Sequence, residues 1–289
     1  MRWEDFRPST NVEDRRGMGI PGGRGGLGMG TIIILGLVGW ALGIDPRVLI
    51  GGAEMMTGGG GGYEQSQRGQ TGTPQDEGGR FAAAILGNTE DVWRDQFPKQ
   101  VNRPYQAPKL VIFSDATRSG CGVGQAAMGP FYCPNDQTVY LDLSFFQEMQ
   151  RRFRAGGDFA YAYVIAHEVG HHVENQLGIL GRVQERQQEV GERERNQLSV
   201  RVELMADCLA GVWAHHSQQR WRSLEQGDIE EAIKAAEAIG DDRLQQKGQG
   251  RVVPDSFTHG SSAQRVRWLT TGLKSGDIKS CDTFRASNL

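Results

Sequence analysis

Neither sign of charge dominates this 289-residue chain: 32 Lys and Arg stand against 35 Asp and Glu, for a net charge of -3. Without a clustered basic surface there is no electrostatic footprint for nucleic acid, which is set aside as a partner. Cysteine is scarce, with four residues at positions 121, 133, 208 and 281 and no Cys-x-x-Cys pair. That spacing argues against a cysteine zinc site. There is no internal repeat, and a long uncharged run occurs near the N-terminus, over residues 27–44.

The bulk composition, 38% hydrophobic and 23% charged, suits one globular domain with accessory sequence. Glycine is unevenly spread, with 22 of the 41 in the first 79 positions. Gly-rich polar sequence buries too little apolar area to offset the backbone entropy of folding, so it reads as linker. The chain therefore divides into a charged Gly-rich segment over 1–26, the uncharged run 27–44, a flexible Gly-rich linker over 45–79 and a folded domain over 80–289.

Eighteen uncharged residues, at about 1.5 Å each, are enough to cross a bilayer core as a helix. Trp40 lies near one end, where an amphipathic ring suits the lipid interface. Arg15, Arg16 and Arg24 precede the run, whereas only Arg47, beside Asp45, follows it closely. The positive-inside bias then keeps the N-terminus in the cytoplasm. The expectation is a single-pass membrane protein, with the bilayer as partner through residues 27–44 and an extracytoplasmic domain, periplasmic or extracellular. Two alternatives remain, a signal peptide cleaved near Ala41-Leu42-Gly43 and a buried core helix.

From residue 80 the pattern changes. Phe81, Ile85, Val92, Trp93 and Phe97 recur at helical spacing and stop at Pro98. Residues 110–113, 131–132 and 139–143 are β-rich runs, with Pro134-Asn135-Asp136 as a turn. After Ser144 the spacing is helical to about residue 273. A small sheet followed by a mainly helical body is the order of an α+β domain.

The central helix carries His167-Glu168-Val169-Gly170-His171. Four residues apart, the two imidazoles stand one above the other and can converge on one ion, with Glu168 beside them as general base. The bland alternative is a helix whose histidines are simply packed or solvated. A catalytic zinc site needs a third protein ligand and an open position, and a carboxylate from a second helix can complete it. Glu203 lies among Val200, Leu204 and Leu209, where an unpaired carboxylate would be costly. Asp207, one turn later, is placed to accept a hydrogen bond from the far nitrogen of a ligating histidine.

His167-Glu-x-x-His171 followed by Glu203-x-x-x-Asp207 resembles the gluzincin pattern of zinc peptidases. Further strings extend the likeness: Gly129-Pro-Phe-Tyr-Cys-Pro134, Ile239-Gly-Asp-Asp242, Thr258-His-Gly-Ser-Ser262 and Cys281-Asp-Thr-Phe284. From about Arg80 to Phe284 the chain is similar to the "putative neutral zinc metallopeptidase" family, the YpfJ-like proteins. The resemblance implies a zincin-like domain, a bound Zn2+ and hydrolysis of a peptide or protein substrate. The segment from Thr258 to Val266 is similar to one in membrane zinc proteases of the CAAX-prenyl-protease type. There a histidine helps to stabilise the tetrahedral intermediate, which implies that role for His259; the alternative is a loop residue beside a helix cap. His172, His215 and His216 are expected to be structural or at the surface. Substrate strands in such enzymes add to a sheet edge, and residues 122–129 are one place to look for it.

An even number of cysteines fits an oxidising compartment, and three pairings are possible. The expected pairing is Cys121 with Cys133 and Cys208 with Cys281. The function expected is that of a membrane-anchored zinc metallopeptidase. Its rivals are a zinc hydrolase of a non-peptide, cell-wall amide and a non-enzymatic binding module that keeps a zincin shell.

Overall fold

The structure, a computed structural model, describes residues 1–18 and 69–289. The uncharged run 27–44 and most of the expected linker lie outside the described residues. Among the described residues no helix is long and apolar enough to cross a membrane.

The α+β order expected from sequence is present. A five-stranded mixed sheet contains β1 (Val12–Asp14), β2 (Gln70–Thr71), β3 (Lys109–Phe113), β6 (Phe131–Cys133) and β7 (Thr138–Asp142). Their spatial order is β2-β1-β3-β7-β6, with β1, β3 and β7 parallel and the two outer strands antiparallel to their neighbours. β4 (Ala116–Ser119) and β5 (Gly122–Gln125) form a separate antiparallel hairpin.

β3 and β7 read as unbroken apolar runs because both faces of a central parallel pair are covered. Their register, Leu110 with Val139 and Ile112 with Leu141, turns those four side chains into the main core. Val111, Phe113 and Tyr140 face the other way and pack with Cys133 in a smaller cluster. This is the two-residue alternation of a strand at work on both faces.

The main core is otherwise helical. Helix α1 (Glu77–Val101) starts at Asp76, whose side chain accepts the Gly79 N–H. It runs one turn past Pro98, where the sequence suggested a stop, and closes on Asn102 in the left-handed region. Then follow α2 (Ser144–Glu148), α3 (Asp158–Gln176), α4 (Ile179–Glu189), α5 (Glu192–Trp221), α6 (Asp228–Ala238), α7 (Asp241–Gln249) and α8 (Ser262–Ser275). Helices α5 and α8 approach so closely that a Cβ at Gly272 would collide with the Cys208 carbonyl. The Cys208–Cys281 disulfide lies beside this contact, and Cys121 is joined to Cys133, the pairing expected from sequence.

Residues 1–18 differ from the sequence reading, which placed them in a leader outside the domain. Phe6 and Val12 are buried in the main core, and Trp3 meets Phe81 edge to face. Their charges are paired both locally and across the fold: Arg7 pairs with the distant Glu90 and Asp91, and Arg16 with its neighbour Asp14 and the distant Asp76. The folded unit also begins before residue 80, since β2 and the first turn of α1 fall in the expected linker.

Candidate metal and catalytic site

The site is built where α3 and α5 cross. Helix α3 is almost entirely buried, from Phe159 and Ala160 through Val164, Ile165 and Val169 to Val173. Gly170, between the two histidines of the motif, is a point of close approach. A Cβ there would lie 2.9 Å from the Ala206 carbonyl oxygen and 3.1 Å from its Cα. Only a residue without a side chain lets the backbones meet and sets Glu203 against both rings. Gly170→Val is therefore expected to cost about 1–3 kcal/mol by overpacking and to weaken zinc binding. Thermal unfolding and zinc titration would check this, and unchanged values in both would refute the spacing role.

One ligand atom from each of His167, His171 and Glu203 lies within 4.8 Å of the others. The His167 Nε2 is 3.2 Å from Glu203 Oε2, and the His171 Nε2 is 3.7 Å from Glu203 Oε1. Both rings are held from behind at Nδ1. His167 donates to Asp207 Oδ1 at 2.8 Å, and His171 donates to Glu174 Oε2 at 2.8 Å. Each imidazole thus has a carboxylate on either side. A neutral ring that donates at Nδ1 points its Nε2 lone pair at Glu203, so the centre needs a positive charge between them. A bound divalent cation meets that need, and two imidazoles with one carboxylate are a donor set that zinc accepts.

Asp207 is the hub behind the ligands. It accepts from Arg265 Nε and Nη2, both at 2.8 Å, and from the Tyr163 hydroxyl at 2.5 Å. Arg265 is only 2% exposed and Asp207 is fully buried. Burial alone would raise the Asp207 pKa, but Arg265 and then His167 outweigh it and hold the carboxyl down at about 2. Burial opposes the charged form of His167, yet Asp207 and Glu203 push its pKa up to about 10. His171 is raised by Glu203 and Glu174 against the same burial penalty. Glu174 itself is pushed up to about 7, chiefly by burial.

These shifts fix the sign of a pH effect. The folded value of His167 lies above its ordinary 6.5, at about 10. The stability from its protonated form is therefore complete below about pH 6.5 and lost as pH rises through about 10. A metal needs the Nε2 positions free of protons, so uptake must release protons across that interval, and affinity must rise with pH. Between about pH 7 and 10, the thermal midpoint of the zinc-free chain should fall while the extra stability conferred by zinc grows. Calorimetry in buffers of different ionisation enthalpy reads the released protons, and zinc uptake at pH 7 without any release would contradict this account.

Glu168, one residue after His167 on α3, is 8% exposed, and no ion pair among the described residues holds its carboxylate. His259 approaches from the loop before α8, where Ser261 caps the helix in a capping box. Its Nδ1 is 3.2 Å from Asp241 Oδ1 and its side chain is half exposed. Burial works against the charged ring, but Glu203 and then Asp241 raise its pKa. Asp241 also accepts the backbone N–H groups of Thr258, His259 and Gly260, so one carboxylate shapes the whole loop.

Glu174, Arg265, Tyr163 and Asp241 were not singled out for roles from sequence. Glu174 had a signal, because it stands three residues after His171 on one helix face. Asp241 had none beyond its place in the string Ile239–Asp242, and Arg265 none beyond the segment Thr258–Val266, since their partners come from other parts of the chain. His172 is structural: it accepts from the Tyr132 hydroxyl at 2.9 Å and donates to the Gln106 carbonyl at 2.6 Å. His215 and His216 bond to the Leu273 and Gly276 carbonyls. The sheet edge that touches the motif helix is β6, where Tyr132 meets His172 and Asn175, whereas residues 122–125 belong to the hairpin.

The chain matches the family described as "Putative neutral zinc metallopeptidase" over residues 1–284. It is 51% identical to "Uncharacterized protein YpfJ" of Escherichia coli K12, over 99% of this chain and 100% of that protein. It is 41% identical to "Uncharacterized protein Rv2575" of Mycobacterium tuberculosis H37Rv, over 79% of this chain and 78% of that one. No solved structure matches the chain. With a family match that takes in almost its whole length and a site assembled from that family's strings, the chain belongs to the "Putative neutral zinc metallopeptidase" family.

Proposed function

We propose that this chain is a zinc-dependent peptidase of zincin-like fold, with His167, His171 and Glu203 as metal ligands. The observation that carries the reading is the orientation of the two imidazoles, each pinned at Nδ1 by a carboxylate and turned with Nε2 toward Glu203. When bound, zinc lowers the pKa of water at its open position and polarises the scissile carbonyl. Glu168 takes a proton from the attacking water and passes it to the leaving amine. His259, held at Nδ1 by Asp241, offers its other ring nitrogen to the developing oxyanion. β6, an edge strand of the sheet among the described residues, supplies backbone groups along which a peptide strand can align.

The domain belongs to an oxidising compartment in this reading, because all four cysteines are paired. Residues 27–44 supply the contact with a membrane, on the strength of their uncharged sequence.

Elemental analysis of the purified full chain tests the ligand set. About one zinc per chain is expected, falling to none in Glu203→Ala and His171→Ala. A folded wild-type chain that takes up no zinc after reconstitution would overturn the proposal. A panel of peptides and cell-wall amides, offered to the zinc-loaded chain, then separates peptidase from amidase.

A further inference from the structure

The sidedness of the first 18 residues follows from the sheet. β1 lies inside it, between β2 and β3, in parallel register with Leu110 to Ile112 and antiparallel to Gln70 and Thr71. The strand is bonded on both sides. The Asn11 carbonyl accepts from Leu110 N at 2.9 Å, Arg15 N donates to the Ile112 carbonyl at 2.7 Å, and Gly72 N donates to the Val12 carbonyl at 3.0 Å. Ser9 is fully buried, and its hydroxyl shares Glu90 Oε1 with Asn11 at 2.6 and 2.7 Å. Phe6 packs on Trp221 in α5, the helix that carries Glu203. The family match also begins at residue 1.

The described residues end at Met18 and resume at Gly69, whose N–H donates to Glu13 at 2.7 Å. The two flanks of residues 19–68 are therefore neighbours on one sheet, where paired strands lie about 4.8 Å apart. A single membrane crossing between them would separate residues 18 and 69 by a hydrocarbon layer of about 30 Å. The two geometries are incompatible. A double crossing would need roughly 40 apolar residues, whereas residues 27–44 provide 18.

We propose that residues 1–18 and 69–289 lie on the same side of any membrane the protein touches. A single crossing between residues 18 and 69 is therefore excluded. This replaces the single-pass topology expected from the charge flanks, and it does not depend on the peptidase reading.

Two measurements on the full chain test it. Thr10 and Ser275 are both exposed, so Thr10→Cys and Ser275→Cys introduce reporter thiols while the native cysteines are tied up in disulfides. A membrane-impermeant maleimide is applied to intact spheroplasts and again after permeabilisation, and labelling is read on each peptide by mass spectrometry. Equal accessibility of the two thiols in both conditions is expected. Labelling of one thiol in intact spheroplasts and of the other only after permeabilisation would overturn the proposal. The second measurement is Val12→Asp, which places a charge at a site 1% exposed. It should lower the thermal midpoint of the zinc-binding domain by roughly 5–10 °C or prevent folding. An unchanged midpoint would mean that β1 is not part of the domain in the native protein.

Discussion

Replacing Glu168 by Gln should leave a zinc-loaded, folded chain whose kcat/KM for peptide cleavage is lower by about 100- to 10,000-fold. The substitution keeps the size and most of the polarity of the side chain. It removes only the ability to accept a proton from the attacking water. None of the three metal donors is Glu168, and no ion pair among the described residues ties it into the network behind them. Zinc content and the thermal midpoint should therefore match the wild type, so the loss appears in turnover alone. If Glu168→Gln lost its zinc, Glu168 would have to be counted among the ligands. If activity survived within a few-fold, another residue would have to be the base.

Arg265→Ala should have the largest effect on stability, about 3–5 kcal/mol in chemical denaturation. The guanidinium grips both Asp207 oxygens in a buried pocket. Its removal leaves a carboxylate without its main counter-charge, and the Asp207 pKa rises from about 2. A protonated or rotated Asp207 no longer fixes the His167 ring, so zinc affinity should fall by about 10- to 100-fold. Arg265→Lys should recover only part of this, because an ammonium cannot make the paired, planar contact. Equal stability and zinc affinity in wild type and Arg265→Ala would rule out Asp207 as a supporting group that depends on Arg265.

The two mutations divide the site into what reacts and what holds, and the two halves differ in how well the sequence reveals them. His167, Glu168 and His171 share one helix face, so spacing alone displays them. Glu203 and Asp207 are again one turn apart. Their convergence with the histidines depends on two helices meeting at Gly170, which is visible only once Ala206 is seen against it. Asp241 is farther from reach: it meets His259 through a loop 18 residues away, and its sequence setting is an ordinary acidic helix start. β3 and β7 were legible because their apolar runs are continuous. β1 was not. It is Val12 followed by Glu13 and Asp14, three residues with two charges, and the cations that neutralise them, Arg15 and Arg16, made the stretch look like a solvated leader.

The parallel pairing of β1 with β3 also has a temporal side. Val12 waits for Leu110, almost 100 residues later in synthesis, and β3 in turn needs β7 beside it. At roughly 5–20 residues per second, the ribosome spends several seconds or more with the N-terminal strand made and its partner absent. For that interval Phe6 and Val12 have no core to enter. A chaperone or export factor that holds nascent apolar segments should therefore bind this protein early. Release should wait for Trp221, on which Phe6 packs, and so for the helix that carries Glu203.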